Sequence, residues 1–486
     1  MRDEIARHKT AISRTELSRP IKLALADNLL TPDRPVFDYG CGLGDDLRFL
    51  NALGFQGVGW DPVHRPDEAL CRTPVVNIGY VVNVIENPRE RQEALRRAWA
   101  LAEQILIVSA RLTLDGRSLD NAKDYADGLL TSRGTFQKFF EQQELRNWID
   151  QTLGVSAVPA APGVFYVFRE EEARAAFVAS RFRRRLAVPK LTRSEALYTE
   201  HEELLRPLMD FVSNYGRLPA EDELAGATEI SAVFGSLRKA FRVITYVTET
   251  AQWDEIAKER SKDLLIYLAL SRFDGRPNFG RLPRALQQDV KVFFKTYRGA
   301  CEKADELLFS LGQPGVVESA CNESSVGKLT PSALYVHMSA LEVLSPVLRL
   351  FEGCARGYLG QVEGANIIKL HRDEPKVSYL IYPTFESDPH PALVSSLTVH
   401  LQTFRVRYQE FQLRANPPIL HRKELFLGPD HPLQMKFARL TRSEEQKGLY
   451  EDTSRIGTRD GWNEVLVQKG LYLKGHRLLS ARRGAR

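Results

Sequence analysis

The chain has 486 residues, 43% of them hydrophobic and 27% charged, with a formal net charge of +5. A chain of this length buries a substantial core and divides into about two to four domains. No apolar run reaches the ~18 residues that crossing a bilayer requires, and Met1 to Ile5 lack the charged-then-apolar layout of a signal peptide. The five cysteines are scattered, without CxxC spacing. These features argue against membrane spans, a disulfide framework and a zinc site, and lead to the expectation of a cytoplasmic protein. The mild basic excess permits a polyanionic partner without demanding one. Its densest patches are Arg181 to Arg185 and a tail carrying Lys474, Arg477, Arg482, Arg483 and Arg486, each of which reads equally as a solvated linker or a frayed end.

In chain order, the first third alternates strands and helices, which predicts a parallel sheet covered on both faces. Val36-Phe37 is a strand running into the glycine loop Asp38 to Gly44. An amphipathic helix follows from Asp45 to Leu53, with Leu47, Leu50 and Leu53 at helical spacing, and Gly54 closes it. Gly57 to Trp60 is the next strand and ends on Asp61. Val75 to Val82 is a third apolar run, and Pro88, suited to the first turn of a helix, opens a segment reaching Glu103. Ile105 to Ser109 is a further strand, and Val155 to Val158 with Val164 to Phe168 make a terminal hairpin around Pro162-Gly163. The α/β unit is therefore expected to span residues 1–170. Residues 171–310, rich in Leu, Arg, Glu and Lys, read as mostly helical. Residues 311–486 read as a mixed α/β domain of unassigned role, with a helix over Ser332 to Cys354, a strand at Val377 to Tyr382 and frequent prolines.

A loop of small residues between a strand and a helix brings backbone N–H groups close to a ligand. Spacing decides which ligand. A phosphate-binding P-loop ends in Gly-Lys-Ser/Thr, whereas Gly44 is followed by Asp45-Asp46, whose carboxylates repel phosphate. The dinucleotide pattern G-x-G-x-x-G puts its third glycine where this chain has Asp45. What remains is an acidic residue, Asp38, followed by Gly40, Gly42 and Gly44. This resembles motif I of class I methyltransferases. The resemblance implies a Rossmann-like domain that binds S-adenosyl-L-methionine (SAM), with Asp38 toward the methionine end. At the end of the next strand Asp61 is expected to accept both ribose hydroxyls. The competing reading is a tight turn in which Asp61 caps a helix.

Methyl acceptors approach such a sheet at the segment Tyr80 to Pro88. DNA amino-methyltransferases carry Asn/Asp-Pro-Pro-aromatic there, and cytosine C5 enzymes carry Pro-Cys, whose thiolate attacks the ring; this chain has neither. Asn83-Val84-Ile85-Glu86 resembles instead the loop of small-molecule and RNA methyltransferases. Asn83 and Glu86 are thus the catalytic candidates, with Asn83 also expected at the cofactor. Helix capping near Pro88 accounts for both equally well. Asn416-Pro417-Pro418-Ile419 lacks the aromatic residue and a preceding apolar strand. It reads as a rigid proline turn or as a relocated amine-binding motif.

Residues 213–245 suggest a short helical module: a helix ending at Gly216, another around Glu221 to Leu224 and a third from Ser236, packed through Leu218, Leu224, Ile230, Val233, Phe234 and Phe241. The pattern is similar to helical repeats accompanying homing endonucleases, which implies DNA binding. Arg238, Lys239 and Arg242 would meet phosphates while Phe241 stays buried, with Arg217 nearby. A solvated cationic helix face gives the same pattern.

The whole chain resembles the methyltransferase-type proteins found alongside bacterial DNA phosphorothioation systems. The resembling stretches are His8 to Ile12, Leu17 to Pro20, Asp38 to Gly44, Asn83 to Pro88, Gly134 to Phe139, Asp388 to Leu393, Asn416 to Glu424, Ile456 to Arg459 and Gly475 to Arg477. The resemblance implies DNA modification or defence, with DNA and other phosphorothioation-system proteins as partners. His390, His421, Arg422, Lys423, Glu424 and His476 also place titratable groups beside proline-fixed turns. Such groups hold a phosphate or a base, or form surface loops with internal salt bridges. Arg422 and Lys423 join the nucleic-acid candidates on this ground, and no HxH or HExxH spacing points to a metal. The expectation is a SAM-dependent methyltransferase acting on DNA. Its rivals are a SAM-binding accessory protein that docks DNA without transfer, and an RNA or small-molecule methyltransferase.

Overall fold

The computed structural model describes residues 5–118, 122–184, 186–190 and 196–480. The chain forms two compact units, residues 1–174 with 355–363 and residues 175–354 with 364–486. The expected division at residue 310 does not appear, because Leu350 packs in the same apolar cluster as Leu264 to Leu270.

The first unit is built on a six-stranded sheet of order β2-β1-β3-β4-β9-β8. Its strands are β1 (Val36–Tyr39), β2 (Gly57–Trp60), β3 (Thr73–Gly79), β4 (Ala102–Ser109), β8 (Val158–Ala161) and β9 (Val164–Phe168). A small three-stranded sheet, β5 (Lys123–Tyr125), β6 (Gly128–Leu130) and β7 (Phe136–Gln137), lies between β4 and β8 in sequence. Strands β1 to β4 pair in parallel, while β9 runs antiparallel to β4 and β8. This is an α/β, Rossmann-like architecture. Helices on both faces explain why β1, Val75, Val76 and Ile78 are all buried.

Three boundaries moved from the sequence reading. Strand β3 stops at Gly79 instead of reaching Val82, because Tyr80 adopts φ 60° and turns the chain. Strand β4 starts at Ala102, directly after the helix Pro88–Leu101. Strand β8 begins where its predicted counterpart ended. The helix start after Pro88 is capped by Asn87, whose side-chain oxygen accepts from Arg89 N at 3.0 Å, so neither Asn83 nor Glu86 serves as that cap. The segment 355–363 returns to this unit. Gly360 takes φ 76°, and a Cβ there would sit 2.4 Å from the Ala160 carbonyl carbon, which lets Gln361 N reach Ala160 O at 2.7 Å.

The second unit begins with helices, including Glu202–Tyr215, Ala227–Phe234, Leu237–Val247 and Thr250–Leu270. The predicted helix around Glu221 to Leu224 is a turn; Ala227–Phe234 is the helix, and Val233 is exposed, not core. The predicted helix over Ser332 to Cys354 fails in its first part and holds in its last. Ala333–His337 is a strand, a short 3-10 helix follows at Met338–Val343, and an α-helix runs from Pro346 to Leu359. That strand belongs to an antiparallel meander of β10 (Lys328–Leu329), β11 (Ala333–His337), β12 (Ile367–His371), β13 (Lys376–Ile381), β14 (Ser395–His400) and β15 (Val406–Glu410), adjacent in chain order. One face is apolar, with Val336, Ile368, Leu370, Val377 and Val399 fully buried. A hairpin of β16 (Leu471–Lys474) and β17 (Arg477–Ser480) follows. Arg482, Arg483 and Arg486 of the basic tail lie outside the described residues.

Candidate cofactor site

Strand order reverses at β1, so the carboxyl ends of β1 and β3 flank the crevice where open α/β sheets bind ligands. A cavity of about 900 Å³ opens there. Gly40, Gly42 and Gly44 all take positive φ, at 81°, 54° and 79°. At Gly40 a Cβ would meet Val81 Cγ2 at 2.5 Å, so the loop closes against the β3 end only with glycine there. Gly40 N and Cys41 N both donate to Trp60 O, at 2.8 and 3.1 Å, tying the loop to β2. Asp45 and Asp46 open the next helix and tie it to the preceding segment. Asp45 Oδ2 accepts from Arg14 N and Asp46 Oδ1 from Ser18 N, each at 2.6 Å.

Asp38 is buried and accepts from Asn77 Nδ2 at 2.8 Å. Burial, then the nearby Asp46 carboxylate, push its carboxyl up to about 7 against the Asn77 hydrogen bond. Asp61 is engaged by three backbone donors: Gly42 N on Oδ2 at 3.0 Å, and Val63 N and His64 N on Oδ1 at 2.9 and 2.8 Å. Two lone pairs per oxygen leave Oδ2 free to accept one more hydrogen. The expectation that Asp61 accepts both ribose hydroxyls therefore meets a carboxylate most of whose capacity already fixes the glycine loop and the turn after β2.

Asn83 also lines the cavity and is buried. Its Nδ2 donates to Gln137 Oε1 at 3.0 Å, and its Oδ1 meets no donor among the described residues. Glu86 does not line the cavity. Both its oxygens bind Arg7, at 2.6 and 3.1 Å, and Arg7 also clasps Glu90. Although burial works the other way, the Arg7 guanidinium holds the Glu86 carboxyl below its usual range. Its catalytic assignment is therefore corrected to a structural ion pair. Burial pushes the Cys41 thiol up to about 12, which leaves no thiolate at neutral pH.

Several lining residues were not singled out as site residues in the sequence: Arg14, Ser18, Trp60, Asn77 and Gln137; Tyr80, at the start of the acceptor segment, also lines the cavity. Asn77 had a visible signal, a lone amide inside an apolar strand. The Asn77 Oδ1 and Ser18 Oγ atoms are buried with no hydrogen-bond partner among the described residues, and Arg14 lies 5.9 Å from the Tyr80 ring centre.

The nucleic-acid candidates separate. Arg217 is internal: its guanidinium binds Glu223 at 2.7 Å and Asp289 at 2.5 Å. Lys423 is buried, with Nζ donating to Phe385 O and Asp388 O at 2.6 Å and meeting His476 Nε2 at 3.1 Å. Neither can reach a phosphate, since burial and saturated donors replace the contact. Arg422 pairs with Glu445 at 3.2 Å over the Tyr450 ring. In the same unit His390 binds Glu444 at 2.8 Å and lies against His421, and Thr441 donates to Glu424. These form an interior network, not an open site. Arg183 and Arg184 bind Asn214 O and Glu259, while Arg185 lies outside the described residues. Arg238, Lys239 and Arg242 are exposed on the helix Leu237–Val247, whose Ala240, Ile244 and Val247 are buried. Asn416 caps the helix Arg459–Gln468 through Asp460 N, so Asn416-Pro417-Pro418 is a structural turn.

No family profile and no curated protein matches this chain. Among solved structures, it is similar to a 1,6-didemethyltoxoflavin-N1-methyltransferase of Burkholderia thailandensis with bound S-adenosylhomocysteine, at 13% identity and TM-score 0.24, over 31% of this chain and 79% of that one. An amino pentose methyltransferase from Micromonospora echinaspora with bound SAM gives 14%, 0.25, 34% and 94% for the same measures. A magnesium protoporphyrin IX methyltransferase from Synechocystis gives 11%, 0.22, 34% and 93%.

Proposed function

We propose that this chain is a SAM-dependent methyltransferase whose first unit holds the cofactor. The observation that carries the reading is the three-glycine loop at the end of β1, beside a buried Asp38 and above Asp61, on a cavity rich in unfilled acceptors. Carboxylates at 38, 46 and 61 oppose a phosphorylated nucleotide, whereas a ligand bearing an ammonium, ribose hydroxyls and a sulfonium supplies the donors and charge they lack. Asp38 and Asn77 would hold the ammonium, Asp61 Oδ2 one ribose hydroxyl, and Arg14 the carboxylate. Bound SAM supplies an electrophilic methyl group. The chain's own contribution is then alignment of the acceptor beyond Tyr80 and Asn83, which alone lowers such barriers substantially.

The finer reading takes DNA as the acceptor, in a cytoplasmic phosphorothioation-linked modification or defence system that includes other proteins of that system. It is supported by the sequence strings above and by the exposed Arg238, Lys239 and Arg242. One observation favours a second reading, a SAM-binding accessory protein without transfer: Glu86 is locked to Arg7 away from the cavity. Calorimetric titration of SAM, followed by incubation with methyl-labelled SAM and duplex DNA, tRNA or small amines, separates them. Binding with label on DNA is the expected result; binding with label on none favours the accessory reading, and no SAM binding by the folded chain overturns both.

A further inference from the structure

The meander of the second unit has a second face. Because side chains alternate along a strand and neighbours face one another across strands, the register sets Lys328, Tyr335, Lys369, Ser378, Thr398 and Arg407 in one row across β10 to β15. A parallel row carries Lys376, His400 and Arg405, the last reached through His400 N donating to Arg405 O at 3.0 Å. The face is ordered by side-chain bonds: His371 Nε2 meets Ser378 Oγ at 3.1 Å, and Ser378 Oγ meets Thr398 Oγ1 at 2.7 Å. Lys369 lies 5.4 Å from the Tyr335 ring centre.

Some of the cations around this sheet have a carboxylate partner. Arg372 binds Glu318, Arg422 binds Glu445, and Lys376 binds Glu374. Lys328, Lys369, Arg405 and Arg407 form no ion pair among the described residues, and no acidic residue stands in the first row. Arg405 and Arg407 are exposed on the edge strand and Lys369 partly so, whereas Lys328 and Tyr335, at the other end of the row, pack against Phe426. Strands about 4.8 Å apart put Lys328 and Lys369 about 10 Å apart and Lys369 and Arg407 about 14 Å apart. Charges so spread do not converge on a small anion. They match a rod carrying a negative charge about every 1.7 Å, and neutralising them there releases counterions from the rod.

We propose that this sheet face is a docking surface for the phosphodiester backbone of duplex DNA. It rests on the nucleic-acid part of the functional reading and is independent of methyl transfer. The face positions DNA without reading its bases, since cations to phosphate carry no sequence information.

The test is fluorescence anisotropy of the full chain with a labelled DNA duplex over a range of salt. Lys369→Ala/Arg407→Ala is expected to weaken binding at least tenfold and to reduce the slope of log affinity against log salt by about 2, near 0.9 per lost phosphate contact. The charge-keeping Lys369→Arg/Arg407→Lys is expected to retain the wild-type slope. Arg405→Ala/Arg407→Ala, confined to exposed positions, provides a second variant, with a thermal melt to show that each is folded. An unchanged slope in both alanine pairs, with wild-type binding intact, overturns the docking face while leaving the nucleic-acid reading standing. If Arg238→Ala/Lys239→Ala alone lowers the slope, the contact belongs to the helix. A wild-type chain that binds no nucleic acid overturns both readings, and binding to tRNA or anionic phospholipid vesicles but not to duplex overturns the DNA assignment of this face.

Discussion

The two large sheets of this chain offer ligands different things. The parallel sheet of the first unit is buried on both faces, so what it presents is the row of carboxyl ends where β1 and β3 part. The antiparallel meander of the second unit buries one face and covers part of the other, where Ile367, Leu380 and Tyr335 pack with Phe385, Phe426 and Phe437, and it leaves cationic side chains toward its last strand. A sheet buried on both faces makes a small enclosed site from backbone and acidic groups at its strand ends, whereas a sheet with part of a face uncovered offers side chains over a broad surface. The first arrangement suits a cofactor, and the second is the one proposed above to dock a polymer.

The largest expected effect breaks that division at the loop. Gly40→Ala, with its Cβ forced to 2.5 Å from Val81 at positive φ, should lower SAM affinity by more than a hundredfold in calorimetry and leave DNA affinity unchanged. A change of less than threefold in SAM binding would show that the loop is not the cofactor site. Next comes Arg217→Ala, which strands Glu223 and Asp289 in the second unit. Chemical denaturation should register a loss of about 3–5 kcal/mol, with DNA affinity of the folded fraction unaltered; weaker DNA binding would return Arg217 to the interface.

Asp38 gives a smaller, pH-dependent effect. Its carboxyl is raised to about 7 in the folded chain from an ordinary 3.8. The folded state therefore keeps a proton that the unfolded state loses, and stability falls as pH rises from about 4 to about 7. The loss is on the order of 4 kcal/mol. Asp38→Asn should remove this loss, raising the melting temperature relative to wild type at pH 8 more than at pH 4, while weakening SAM. Equal shifts at both pH values would refute the buried, protonated carboxyl. The smallest effect is Asn416→Ala, which uncaps Asp460 N and should cost about 1 kcal/mol with no change in SAM affinity; a large loss of SAM binding or transfer would revive the amine-binding motif.

Legibility in the sequence followed the range of the interactions involved. The glycine loop, its helix and strands β1 to β4 were readable because turn chemistry and apolar runs are local. The boundary at Tyr80 was not, since a tyrosine at positive φ carries no local signature. Ser332 to Cys354 read as a helix because the pairing of Ala333–His337 with Ile367–His371 is a long-range event. The same limit explains the cations. Arg217 and Arg238 look alike in sequence, and only the distant Asp289 makes one of them interior. Asn83 was found from its place after a strand; Gln137, which meets it, comes from a short strand far along the chain.

Residues 7–18 are held over the cavity mainly by polar clasps: Arg7 on Glu86 and Glu90, Arg14 N on Asp45, Ser18 N on Asp46. Segments secured in this way open at low free energy compared with a packed core. Arg7, Thr10, Ala11, Ile12, Arg14 and Ser18 of this segment line the cavity, so its opening would uncover whatever the cavity holds. The Arg7 clasp is partly exposed and is weakened by ions in solution. The dwell time of a ligand bound there is therefore expected to shorten as ionic strength rises, an effect set by a salt-sensitive clasp and not by the glycine loop.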